Sequence, residues 1–382
     1  MNTVRHANRF NQYTRQQGAV MIIALLVVAL IVAIAARFTS DFQVTVARSQ
    51  QKLAGAQLQQ LLFGAENFAR WGLVDDAKSD GTNFGSYDHA KEPWAEEVLR
   101  ETEVASVAGT LEDALSRFNL NQLQGKAPAP TAANPAGSFG ARFTVGQQRF
   151  IRLLQADPDN PVDLSLAEEI TEAVIDWIDS DDNVTGAGGA ETAYYQSQPK
   201  PYRPANQLFV SATELQLIKG MTPEIYAYLE PLIIALPSDV GININTASPQ
   251  LIRALNGPNI TAPLELSEAT TLLSAIPEPN SSGDTGETEA LSSQASPRSE
   301  VQESPYEKVA DFLSGSDAQT VFGADASGKP SPDGLHTGSE YFVLTTEVEL
   351  LDYKRKQISL LKRVNTPTGV KTIVLRRSQA QL

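Results

Sequence analysis

The densest group of chemically capable side chains is "DWIDSDDNVTGAGGAE", residues 176–191. Asp179, Asp181, Asp182, Asn183, Thr185 and Glu191 fall in a glycine-rich stretch directly after an apolar-periodic segment. Calcium takes about six to eight oxygen ligands from a flexible loop, often closed by a carboxylate further along. Asp179, Asp181 and Asn183 have the i, i+2, i+4 spacing of an EF-hand loop. The match stops there: Val184 stands where that loop needs glycine, and Glu191 lies one position beyond the closing carboxylate. The spacing thereby argues against a true EF-hand, and two readings stay open on spacing alone. One is a calcium loop of another geometry with Asp179, Asp181, Asp182 and Glu191 as ligands; the other is a solvated acidic turn. Asp176 sits on the preceding helix and reads as a capping or pairing residue.

Other candidate chemistry is thinner. "AYYQSQPKPYRPANQLF" interleaves Tyr194, Tyr195 and Tyr202 with Arg203, which reads as tyrosines packing on their own helices, with Arg203 offsetting part of the acidic loop. "ININTASPQLIRALNG" resembles a helix-hairpin-helix, a motif that offers backbone amides to phosphate. Arg253 is the nearest basic residue, so a packing role is expected. The pairs Glu96/Glu97 and Glu168/Glu169 are consecutive and diverge on a helix, so neither forms an acid–base pair. No GxSxG, P-loop or HExxH occurs, there is no cysteine, and the three histidines (His6, His89, His336) are far apart. The reading is therefore not an enzyme. A net charge of −15 and a pI near 4.7 disfavour nucleic acid as a partner and favour divalent cations.

Three elements must carry these residues. The first is N-terminal. Residues 1–18 hold Arg5, Arg9 and Arg15 and no acid, so this end is expected to stay cytoplasmic. Residues 19–36 are uncharged and would span about 27 Å as a helix at about 1.5 Å per residue, enough for one bilayer crossing. "RFTSD" after this run is a poor secretory cleavage site. Residues 38–71 lack proline and bring apolar residues back at Phe42, Val46, Leu53, Leu61, Phe63 and Phe68. One long helix is expected, leaving the membrane and laying an apolar side on a soluble domain.

The second element is a helical block over 141–276, with "SLAEEITEAVIDWID" at helical period and Ser211 and Thr222 as N-caps. The third is a C-terminal meander, "EYFVLTTEVEL", "KQISLLKRV" and "VKTIVLRRS", within 339–382. Residues 105–123 read as a hairpin or a strand with irregular flanks. Residues 125–140 form a Pro/Ala/Gly-rich linker, 277–305 a polar low-complexity loop, and 306–338 the end of the helical block and a further loop. The fold class is α+β: a long N-terminal helix packed on an antiparallel sheet, with a large all-α domain inserted.

A basic leader before a membrane-plus-amphipathic helix resembles the start of type IV pilins and pseudopilins. The resemblance implies cleavage by a prepilin peptidase between Gly18 and Ala19. Most such proteins carry glutamate at the fifth mature position; here it is Ile23, so the buried carboxylate that recruits a neighbouring subunit is missing. The stretches "GTLEDALSRFNLNQL" (109–123), "VIDWIDSDDNVTGAGGAETAYYQSQPKPYRPANQLFVSATELQLIKGM" (174–221), "GININTASPQLIRAL" (241–255) and "SEYFVL" (339–344) resemble, in order, the blocks of the type II secretion system protein K family, and with the leader they span most of the chain. That resemblance implies a pilin-like fold and a minor pseudopilin anchored once in the inner membrane, with its C-terminal domains periplasmic. It implies a place at the pseudopilus tip with the I and J pseudopilins, starting the filament or limiting its length, and contact with the major pseudopilin and the inner-membrane assembly platform. It also implies calcium in the helical domain, with Asp182 and Glu191 foremost and Asp179 next. The alternative class is a membrane-anchored periplasmic calcium-dependent binding protein.

Overall fold

The computed structural model describes residues 17–79, 87–132, 134–237, 240–274, 305–323, 328–351, 353–367 and 369–379. Most of the leader and nearly all of the low-complexity stretch 277–305 lie outside the described residues. The chain divides into two compact units, Met1–Gln60 and Leu61–Leu382.

Helix α1 runs from Gln17 to Ser79 without interruption. No proline or helix-ending glycine falls inside it, and Ala, Leu, Val and Gln dominate. Its first stretch is long and apolar enough to cross a membrane, with mean hydropathy 3.3 and none of it buried. Within Leu61–Leu382 the buried side of α1 is Leu62, Glu66, Leu73 and Ala77. Phe63, Phe68 and Trp71 face solvent, Phe68 and Trp71 with ring centroids 6.1 Å apart. None of the apolar positions expected to lie on the domain is in that buried side: Phe63 and Phe68 are exposed and Leu61 is half-buried. A stripe at i, i+4, i+11 and i+15 of smaller residues packs inward, and the large aromatics are left outside.

A five-stranded antiparallel sheet follows: β1 (Val98–Glu101), β2 (Ala105–Asp113), β7 (Tyr341–Leu350), β8 (Tyr353–Thr366) and β9 (Gly369–Ser378), in spatial order β1-β2-β7-β8-β9. Strand β1, "VLRE", has no apolar alternation and was not expected from the sequence. The adjacent strands β2 and β7 pair from Ala105↔Leu350 to Asp113↔Phe342. The chain between them, Ala114 to Glu340, is one large insertion returning to the strand it left.

Both faces of the sheet are covered. Leu111, Phe342, Leu344 and Leu361 meet Leu73 of α1 and Trp94 on one side. Tyr341, Val343 and Leu360 meet Leu115, Ile234 and Leu236 of the insertion on the other.

The insertion is helical, with two two-stranded fragments, β3 with β4 and β5 with β6. In chain order it holds β3 (Phe118–Asn119), α2 (Phe139–Arg142), α3 (Val145–Gln155), α4 (Leu164–Ile178), α5 (Thr192–Gln196), α6 (Pro223–Leu229), β4 (Ile233–Ile234), β5 (Ile242–Asn243), α7 (Pro249–Arg253), α8 (Leu266–Leu273), α9 (Val309–Ser314), α10 (Ser316–Phe322) and β6 (Leu335–His336). Its apolar core is built from α3, α4 and α7, with Phe150, Leu153, Ile170, Val174, Trp177 and Leu251 all buried. Thr144 and Gln147 close a capping box on α3, and Asp163 and Thr222 cap α4 and α6, as the Ser/Thr/Asp positions before these segments require. The hairpin stretch packs as expected: Arg152 donates to Ile260 O, Ala254 O and Gly257 O, so a buried guanidinium from α3 holds the carbonyls around it.

Candidate cation site in the acidic loop

Helix α4 ends at Ile178 with Asp179 as its C-cap, and its last turn carries Asp176, three residues before the cap. The loop from 180 to 190 then folds back over α4. Glycine is required where it does so. A Cβ on Gly189 would lie 2.3 Å from Asp176 Oδ2, and Gly186 adopts φ +60 against the Glu172 carboxylate. The loop is pinned by Thr185 N–H donating to Asp176 Oδ1 at 3.0 Å and Gly188 N–H donating to Glu172 Oε2 at 2.7 Å. It ends at Glu191, which precedes α5.

This path brings Asp176, Asp179 and Glu191 together, with one carboxylate oxygen from each within 4.8 Å of the others. Glu191 is 3 % exposed, and neither of its carboxylate oxygens has a hydrogen-bond partner. A buried carboxylate is normally paired or hydrogen-bonded, since desolvating it alone is costly. Burial is the main cause that pushes its carboxyl up to about 7, and Asp176, Asp179, Asp182 and Asp181 add repulsion. Burial raises Asp176 and Asp179 as well. Three acids converge here with no cation among them; in the described residues Arg203 is exposed and forms no ion pair with the loop.

Asp181 and Asp182 lie outside the group. Asp181 is exposed and its Oδ1 accepts from Asn183 N–H at 2.9 Å, which holds its carboxyl below the usual range. Asp182 is exposed and accepts from Thr192 N–H at 3.4 Å. The donor set is all oxygen, with a glycine-rich loop above it and an uncompensated carboxylate inside, which is the chemistry a hard divalent cation takes. Residue spacing pointed at the loop but not at Asp176, whose signal was its i, i+3 relation to Asp179 across the helix end. The tyrosines pack as expected: Trp177 and Tyr195 are edge-on at 5.4 Å, Tyr195 is buried, and Tyr202 donates to Leu217 O.

A second buried acidic group lies where the sheet meets the insertion. Arg363 of β8 is fully buried and pairs with Asp76 at 2.9 Å and with Asp88. Asp88 Oδ2 accepts from Ser339 N–H at 2.6 Å. Nearby, Asp113 Oδ2 accepts from Asn243 Nδ2 at 2.8 Å and from Thr246 Oγ1 at 2.5 Å. Burial pushes Asp113 up to about 6, against these hydrogen bonds.

A long N-terminal helix laid on an antiparallel sheet, interrupted by a helical domain with an acidic loop, defines a pilin-like protein with a large insertion. One chain of the crystal structure of the GspK–GspI–GspJ complex from the enterotoxigenic Escherichia coli type 2 secretion system shares this fold. The TM-score is 0.61 at 24% identity, over 87% of this chain and 98% of that one. Residues 116–238 match the family described as type II secretion system (T2SS), protein K. The chain is 34% identical to type II secretion system protein K of Pectobacterium carotovorum subsp. carotovorum, over 61% of this chain and 67% of that protein. It is 31% identical to the Aeromonas hydrophila protein of the same name, over 62% and 69%. A putative type II secretion system protein K of Escherichia coli K12 is 32% identical, over 64% and 72%. The chain belongs to the type II secretion system protein K family and is a pseudopilin.

Proposed function

We propose that this chain is the minor pseudopilin that caps the tip of a periplasmic pseudopilus, anchored once in the inner membrane with its N-terminus cytoplasmic. The observation that carries the reading is Ile23, in an uncharged run from 19 to 36. After cleavage by a prepilin peptidase between Gly18 and Ala19 it is the fifth residue. With no carboxylate there, no subunit is recruited above it, and a bulky inserted domain is tolerated at an end but not within a stack. The exposed aromatics Phe63, Phe68 and Trp71 on α1 support association with the long helices of I-type and J-type pseudopilins, and below them the major pseudopilin and the assembly platform.

In this reading the acidic loop holds one calcium ion. Asp176, Asp179 and Glu191 would supply oxygens, and the ion would compensate the buried Glu191 carboxylate. Its role is to fix the loop between α4 and α5, not to perform chemistry.

The test is co-expression of the full chain with a prepilin peptidase and with I-type and J-type pseudopilins. Expected are a mature N-terminus at Ala19, by intact mass, and a detergent-stable complex of the three. A mature chain starting elsewhere, or no complex, overturns the reading.

A further inference from the structure

Two hairpins of the sheet meet at one of its ends. Strands β1 and β2 turn through residues 102–105, closed by Thr102 N–H donating to Ala105 O at 2.8 Å. In the next hairpin, Leu350 of β7 and Tyr353 of β8 are a cross-strand pair, and Leu351 follows β7 directly. The tips are tied together by Leu351 N–H donating to Val104 O at 3.1 Å.

Two-residue hairpin loops favour Asn-Gly, Asp-Gly or Gly, since their backbone must adopt positive φ. This loop begins with Leu351, at φ +53. A γ-branched apolar residue is disfavoured there. Burial does not offset the strain: Leu351 is 65% exposed, with Val104 beside it 58% exposed and Tyr353 39%. Three apolar side chains are exposed at one tip, against the hydrophobic effect, and one of them, Leu351, is also held against its backbone preference. A local rule broken without local compensation points to a use for the side chain.

The end of the sheet that carries this tip follows from the register. Ser359 Oγ donates to Glu66, and further along both elements Arg363 pairs with Asp76, so β8 and α1 run in the same direction. The tip that begins β8 therefore lies on the side from which α1 enters the Leu61–Leu382 unit. A subunit anchored in the same membrane by the same kind of helix arrives from that side.

We infer that Val104, Leu351 and Tyr353 form a knob that seats in an apolar pocket on the head of a neighbouring pilin-like subunit. The inference rests on the pseudopilin reading above and adds a head-to-head contact to the helix contact. Three side chains make an anchor within a larger interface, not an interface by themselves.

The test uses the full chain in detergent with I-type and J-type pseudopilins, comparing wild type, Leu351→Gly and Val104→Ser. Leu351→Gly is expected to raise the melting temperature of the chain alone, by removing the strain, while weakening association about tenfold. Val104→Ser should weaken association without raising the melting temperature. Unchanged binding by both variants overturns the knob and leaves the pseudopilin reading standing. A lower melting temperature for Leu351→Gly overturns the strain argument on which it was built. If wild type binds neither subunit, the assembly reading itself fails, and the knob with it.

Discussion

Among the described residues, two places gather buried acids, and they are compensated differently. At the seam of sheet and insertion, Asp76 and Asp88 surround the guanidinium of Arg363, which is supplied by β8. In the acidic loop, Asp176, Asp179 and Glu191 converge with no cation of their own, and both oxygens of Glu191 are unpartnered. The seam is thus neutralised from within the chain, while among the described residues no cation pairs with the three acids of the loop. This separates a folding element from a ligand site more sharply than acid content does, since both groups have metal-compatible spacing.

The largest expected effect is at the seam. Arg363→Ala leaves Asp76 and Asp88 buried without a counter-charge, and should cost about 3–5 kcal/mol in chemical denaturation, with or without calcium. A loss below about 1 kcal/mol, or rescue by calcium, would erase the contrast between the two sites.

The next effect belongs to the loop. Calcium at about a hundred times its dissociation constant should stabilise the wild type by about 2.7 kcal/mol, read as a rise in melting temperature. Glu191→Gln should abolish that rise, and Arg363→Ala should retain it if the variant folds. A calcium response that survives Glu191→Gln breaks the assignment.

The two sites were unequally visible in the sequence, for a physical reason. The loop is local: α4, its end at Asp179 and the glycines lie within one stretch, so residue types and spacing locate it. The seam joins Asp76, Asp88, Asp113, Asn243 and Arg363, which no spacing relates; Asp88 reaches Arg363 because both bind the backbone at Ser339, just before β7. The long helix and the strands β7 to β9 were legible from uninterrupted helix formers and from alternation. Strand β1 was not, because "VLRE" on an exposed edge needs no apolar alternation, and it is a strand only because β2 pairs with it. The inward side of α1 was misjudged for a related reason. Large aromatics dominate a sequence pattern, yet Leu62, Leu73 and Ala77 are buried, Leu73 against the sheet, while Phe68 and Trp71 are exposed.

A smaller effect concerns pH without calcium. Glu191 is raised to about 7 and Asp113 to about 6, both chiefly by burial. A raised carboxyl pKa means the folded state holds its proton longer than the unfolded chain. The stability from these two groups is therefore full at acid pH and is lost as pH rises through 6 and 7. The calcium-free protein should melt lower at pH 8 than at pH 5.5. Glu191→Gln should remove the upper part of that fall, gaining on the order of 1 kcal/mol at neutral pH because the unpartnered buried charge is gone. Calcium affinity runs the other way, rising with pH as the proton stops competing. A single substitution that stabilises the empty loop and eliminates the response to calcium is what an ion site requires, and a structural acidic turn would show neither.

The smallest effect is the most discriminating about geometry. Asp181 and Asp182 are exposed, and the Oδ1 of each accepts a backbone N–H, from Asn183 in the loop and from Thr192 at the start of α5. Replacing either by alanine should change calcium-free stability by no more than about 0.5 kcal/mol. If the ion is held by Asp176, Asp179 and Glu191 alone, the calcium-induced rise in melting temperature should persist in Asp182→Ala and vanish in Asp176→Asn. If Asp182→Ala abolishes it instead, the loop must close on the ion by bringing an exposed carboxylate inward. The ligand set would then follow the order of the sequence more than the contacts of the ion-free fold. Isothermal titration of the two variants separates these outcomes.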